Sequence, residues 1–280
     1  MNFCQRIFFL LFVLSLSGCS YLFYFPHKEQ IRKPSDFKYI YEEFRFKSKD
    51  QTPLHAWKIF AQKVKQPLGT IIFFHGNAEN ISTHFFNLAW ITEHGYDLFI
   101  FDYRGYGKSA GEPDQNGTYL DGIAAMEEGM KWSEIRKSKK IIVYGQSLGG
   151  IIAARSLIDF KHKDKISLLV LDSTFSSYQD IAFDKLTNHW LTFLFSPLAY
   201  LLVSDEMESQ SYLPNDKTPK LIIHGVNDTI VPYKFGEEIF HLSSEPKWLW
   251  KIENSKHIDA FFKNSGEYKT KFLHFLSQIK

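Results

Sequence analysis

Hydrophobic positions along this chain fall into short unbroken runs, separated by segments in which apolar residues recur at helical spacing. The runs lie at residues 70–74, 98–101, 141–144, 168–171 and 221–223, and the first is bounded by Gly69 and Gly76. Runs of this length without alternation fit strands buried on both faces. Residues 39–46 and 54–60 alternate instead, which predicts two antiparallel edge strands, and residues 248–252 predict a last strand. Ile81, Phe85, Leu88 and Ala89 are spaced as on a helix, and residues 117–135, 151–160 and 268–279 read the same way. Strands alternating with helices predict an α/β chain, with a mostly parallel eight-stranded sheet covered by helices on both faces. One stretch breaks the rhythm. Between Phe175 and Pro219 the chain is too long for an ordinary connection and too apolar for a solvated loop, with Trp190, Leu191, Phe193, Leu194 and Phe195 in close succession. It predicts a small helical cap inserted at about 175–219, or else a longer crossover helix.

The N-terminus carries a different signal. Arg6 precedes an apolar run over residues 7–16, which leads into Leu16, Ser17, Gly18 and Cys19. A charged start and an apolar stretch of about ten residues have the proportions of a secretory signal peptide. The small residues before Cys19 resemble the lipobox of bacterial lipoproteins. That resemblance implies a signal peptide over residues 1–18, removed before Cys19, and a lipidated tether over 19–36. It also implies a place in the bacterial cell envelope, with Ser20 after the cysteine pointing to the outer membrane. The alternative is an uncleaved anchor, since residues 7–25 are nearly continuous apolar sequence and about 20 such residues span a bilayer. Ser15, Ser17, Gly18 and Ser20 interrupt that run, and basic residues flank it on both sides.

Composition narrows the class further. The 280 residues are 44% hydrophobic and 23% charged, which is a globular balance and not that of a disordered or multi-span chain. Lys and Arg number 33 against 31 acidic residues, without a basic stripe, so no nucleic-acid partner is expected. Cys4 and Cys19 are the only cysteines, which excludes a disulfide scaffold or a cysteine metal site in the body of the chain.

Four motifs sit where predicted strands end. Gly145, Ser147 and Gly149 form Gly-x-Ser-x-Gly between a strand run and a helix-like segment. A nucleophile needs such a sharp strand-to-helix turn, with small neighbours and the N–H of the next residue, Leu148, facing the reacting oxygen. A helix N-cap in a nucleotide-binding turn is the alternative for Ser147, but the spacing Gly-x-Gly-x-x-Gly is missing. His75, Gly76 and Asn77 follow the first buried run, and His75 reads as a loop-orienting residue and not a base. Asp228 follows His224 and Gly225 after a later strand, where a carboxylate could orient a histidine, although a turn Asp capping its own backbone is the plain reading. Asp172 ends another strand and is the second candidate acid. Asp102 and Arg104 lie in a glycine-rich turn and are expected to make local hydrogen bonds. Of 11 histidines, His257 alone stands after the last strand and before the last helix, whereas His162, His189, His241 and His274 have no motif around them.

Together these motifs resemble the α/β-hydrolase superfamily, and the loop over residues 75–80 is similar to that of its lipid-associated acyl hydrolases and serine-aminopeptidase-like branch. The resemblance implies a Ser147–His257–Asp228 triad in the chain order of that fold, with an oxyanion hole made by the N–H groups of Leu148 and Asn77. It implies acyl transfer on a carboxylic ester or thioester, with no metal or organic cofactor. The apolar cap points to apolar acyl substrates met at a membrane. A peptidase, or a lipid-anchored binding protein that keeps the fold without turnover, are the other readings.

Overall fold

The computed structural model describes residues 23–279. The expected signal peptide, the lipidation site at Cys19 and tether residues 20–22 lie outside the described residues. Eight strands form one sheet: β1 (Tyr41–Lys47), β2 (Pro53–Ile59), β3 (Gly69–Phe74), β4 (Tyr96–Asp102), β5 (Ile141–Gln146), β6 (Leu168–Asp172), β7 (Lys220–Gly225) and β8 (Lys247–Ile252). Their order is β1-β2-β4-β3-β5-β6-β7-β8, and every pairing from β4 to β8 is parallel. The antiparallel pair was expected at the edge, but only β1 lies there. β2 pairs with β1 on one side and with β4 on the other, both antiparallel. Alternation reports which faces a strand buries, not whether a neighbour covers its second edge.

Successive side chains of a strand point to opposite faces, so each apolar run feeds two cores. In β3, Ile72 and Phe74 join the layer containing α1 (Gln115–Arg136) and α2 (Leu148–Ile158), together with Phe235 and Ile239 of α4 (Lys234–Leu242). Ile71 and Phe73 face the other layer, with Ile81, Phe85 and Leu88 and with Phe272 and Leu276 of α5 (Glu267–Gln278). The inserted stretch forms a small helical cap, with α3 (Tyr178–Thr187), a 3-10 segment at Phe193–Leu198 and one further turn at Ala199–Leu202. Among the described residues no helix is long and apolar enough to cross a membrane.

The described part of the expected tether does not hang free. Tyr24 is buried, with its hydroxyl 3.0 Å from that of Tyr178 and 3.3 Å from Thr118 Oγ1. His27 N donates to Glu79 O, and Asn80 Nδ2 donates to the carbonyls of His27 and Glu29. Aromatic side chains and backbone pairing thus strap residues 23–31 across the C-terminal ends of the strands. β3 has β4 on one side and β5 on the other, so the chain reverses its direction of travel there. In open α/β sheets the crevice at that switch point is where ligands bind.

Candidate active site

Ser147 sits between the last residue of β5 and the first of α2, with φ 53° and ψ −122°. A positive φ is costly for a residue with a Cβ and persists only where its surroundings hold it. Ser147 N donates to Asp172 O at 2.8 Å, and Gly150 N donates to Ser147 O at 2.9 Å. Its glycine neighbours are required by contact: a Cβ on Gly149 would lie 2.1 Å from Phe74 O, and one on Gly145 would lie 2.6 Å from Gly149 O. The turn therefore presents the Ser147 hydroxyl above the sheet because the helix start is pressed against β3.

The loops after β7 and β8 bring two more side chains to it. Ser147 Oγ is 2.9 Å from His257 Nε2, and His257 Nδ1 is 2.7 Å from Asp228 Oδ2. Because a carboxylate only accepts, Nδ1 carries the imidazole proton, and Nε2 is the acceptor that faces the serine hydroxyl. Asp228 Oδ1 accepts from Ile230 N at 2.8 Å and Val231 N at 2.9 Å. Burial alone would raise the Asp228 carboxyl, but hydrogen bonding from His224 and His257 outweighs it and holds the group well below the usual carboxylate range. The His257 loop is itself braced, since Asp259 Oδ1 accepts from Lys256 N and Ser255 Oγ, and Ile258 N donates to Ser173 Oγ at 3.3 Å.

Leu148 opens α2, so its N–H is among the first-turn donors that no intrahelical carbonyl accepts, at the positive end of the helix dipole. Asn77 follows β3 and lines the same cavity as Ser147 and Leu148. Its side chain has a second task that sequence reasoning missed. Nδ2 donates to Phe23 O at 2.8 Å, while Oδ1 accepts from Phe25 N at 3.0 Å and from Tyr106 Oη at 2.8 Å. The strap is thus pinned to a residue that lines the cavity beside Ser147. The signal was the aromatic run over residues 21–25, which in sequence is equally a continuation of the N-terminal apolar stretch.

The remaining candidates hold the frame. The Asp172 carboxylate accepts from Tyr144 Oη, Gln146 Nε2 and Ser173 Oγ at 2.7–3.0 Å, so it braces the C-terminal ends of β5 and β6, while Asp228 is the carboxylate hydrogen-bonded to His257. Burial pushes its carboxyl above the ordinary value. His75 is buried, with Nδ1 2.7 Å from Gly76 O and the ring stacked on His84, and burial followed by the nearby His84 drives its imidazole well below its normal value. Asp102 accepts from Ile81 N and is 3.1 Å from His55 Nδ1, and Arg104 forks onto Asp121 and also reaches Asp50 and Ser48. Among the described residues, His162, His189, His241 and His274 do not line the cavity, and no group of three or more His, Cys, Asp or Glu side chains is arranged to hold a metal ion.

Ser147 opens into a cavity of about 510 Å³ walled by the cap, the strap and the loop after β7. Phe175, Ile181, Leu186 and Leu202 form apolar walls, with Phe23 and Phe25 closing one side. Among the described lining residues Lys185 carries the one charge, and its Nζ donates to Thr229 O. The arrangement can activate a hydroxyl against an electrophile whose apolar portion fills the cavity.

Residues 65–216 match the model of the family described as serine aminopeptidase, S33. The chain is similar to the uncharacterized protein YfhR of Escherichia coli O157:H7, at 33% identity over 97% of this chain and 94% of that one. It is also similar to an uncharacterized membrane protein of Saccharomyces cerevisiae, at 28% identity over 80% of this chain and 76% of that one. Among solved structures, an esterase of Pyrococcus furiosus superposes with a TM-score of 0.71 at 23% identity, covering 92% of this chain and 98% of that one. With sheet order, serine turn and family match in agreement, the chain belongs to the serine aminopeptidase S33 family and has the α/β-hydrolase fold.

Proposed function

We propose that this protein is a serine hydrolase that cleaves carboxylic esters or thioesters of apolar acyl groups through an acyl-enzyme. The observation that carries the reading is the hydrogen-bonded line Ser147–His257–Asp228 at the wall of an apolar cavity. Ser147 Oγ attacks the carbonyl carbon while His257 Nε2 takes its proton, and Asp228 stabilises the resulting imidazolium. The N–H groups of Leu148 and Asn77 receive the oxyanion, a contribution of about 2.7–4 kcal/mol per donor. Collapse of the tetrahedral intermediate breaks the bond to the leaving alcohol or thiol, which takes the proton from His257. Water then attacks the acyl-Ser147 ester with His257 as base, which frees the acid and restores the hydroxyl.

A fluorophosphonate probe and p-nitrophenyl acyl esters test this directly. Wild type should be labelled and turn over, and Ser147→Ala should do neither. Labelling that persists in Ser147→Ala would refute the nucleophile, and an inert wild type would leave a binding protein as the reading. The family match supports a second reading, a peptidase. A substrate α-amine needs a carboxylate to receive it, and the described cavity lining has none, so aminoacyl amides should be poorer substrates than esters. The protein is further proposed to reside in the bacterial envelope on a lipid carried by Cys19. Labelled palmitate should enter the wild type and not Cys19→Ala.

A further inference from the structure

We infer that the outer face of the cap is a lipid-docking surface that seats the mouth of the cavity on a bilayer. Trp190, Leu194 and Leu201 are 79%, 74% and 79% exposed, and Phe193 beside them is also exposed. Single exposed apolar residues are ordinary, whereas a cluster this size on one short segment marks an interaction surface. The cluster is continuous with the cavity, because Phe25, Phe195 and Ile230 are exposed and also line it. Exposed apolar side chains thus stand both on the outside of the cap and in the lining of the cavity that holds Ser147.

The occupant is a lipid surface because of where the preceding chain ends. Residues 7–16 are apolar and Cys19 stands four residues before Phe23, which forms part of the cavity wall. Four residues reach at most about 14 Å when extended. A lipid on Cys19 keeps the mouth within that distance of the membrane, and the apolar run ending at Leu16, seven residues before Phe23, keeps it within about 25 Å. The cap has the chemistry to complete the contact: short turns bearing Leu and Phe, and a Trp suited to the interfacial zone. An acyl chain could then pass from the bilayer into the cavity without crossing water. That last step rests on the hydrolase reading, whereas the docking does not.

The test uses the full chain in vesicles of phosphatidylcholine with or without brominated acyl chains, which quench tryptophan on contact. Trp57, Trp90, Trp132 and Trp250 are buried and Trp248 is half-buried, so quenching reports chiefly on Trp190. Brominated lipid should lower the emission of the wild type, and the drop should shrink at least threefold in Trp190→Phe. Equal drops in the two proteins, or none in either, would overturn the proposal. So would a Trp190 shielded from both lipid and aqueous acrylamide, since residues 7–22 or a second copy would then cover the patch. As a second measurement, Leu194→Glu combined with Leu201→Glu should slow hydrolysis of an ester carried in vesicles at least tenfold, leaving a short water-dispersed ester within twofold. Equal effects on both substrates would count against docking. An absence of ester turnover would sink the hydrolase reading alone, because quenching is read without turnover.

Discussion

Replacing Asp228 by Asn isolates the role of its charge, because the structure dictates how the amide must sit. Oδ1 accepts from two backbone N–H groups, Ile230 and Val231. An Asn amide nitrogen cannot take that place without setting donor against donor, so its oxygen stays there and its NH₂ faces His257 Nδ1. The imidazole must then accept at Nδ1 and carry its proton on Nε2, where it faces Ser147 Oγ and cannot receive the hydroxyl proton. A wrong tautomer of this kind costs about 10⁴-fold in kcat, or about 5 kcal/mol of transition-state stabilisation. Steady-state hydrolysis of a p-nitrophenyl ester, with active sites counted by fluorophosphonate, measures it. Stability supplies a second readout with a definite sign. The folded Asp228 carboxyl titrates below its unfolded value of about 3.9, so its stabilising contribution is complete at neutral pH. That contribution fades as pH falls below about 4 through the depressed folded value. The urea midpoint of Asp228→Asn should thus lie below that of wild type at pH 7, and the gap should narrow below pH 4. A variant within tenfold of wild-type kcat would refute the reasoning and return attention to Asp172.

Gly149→Ala drives a methyl group into the carbonyls of Phe74 and His75 and should lower stability by about 1–3 kcal/mol while slowing fluorophosphonate labelling, read by urea titration and gel. Asn77→Ala removes the three hydrogen bonds that hold Phe23, Phe25 and Tyr106. Net hydrogen-bond contributions near 1 kcal/mol predict faster tryptic cleavage after Lys28 or Arg32 and a kcat about tenfold lower. Arg104→Met leaves buried Asp121 unpaired and should cost about 3–5 kcal/mol, with labelling of the folded enzyme unchanged. Lengthening the acyl chain should raise kcat/KM about fourfold per methylene until the cavity fills, from about 0.8 kcal/mol per buried methylene; a flat series would argue against the cavity as the acyl site.

The sheet, its two cores and the serine turn were legible in the chain because each is coded by near neighbours. Unbroken apolar runs demand burial on both faces, and Gly145 and Gly149 flank Ser147 because the backbone must pass within contact distance there. Asp228 and His257 could be named by their places after strands, but their meeting depends on β7 and β8 lying on the same side of β5, which no local pattern specifies. The same limit explains β2, whose alternation did not reveal a second neighbour.

Two features were decided by tertiary structure alone. The aromatic residues from Phe23 to Phe25 are apolar whether they enter a membrane or pack on protein, and only the fold sets them against Asn77 and the cavity. The cap is apolar enough in sequence to suggest burial, yet Trp190, Leu194 and Leu201 point outward. Hydrophobicity determines that a surface avoids water. Which surface will cover it depends on geometry, because the partner is the group that stands opposite in space and not the neighbour along the chain.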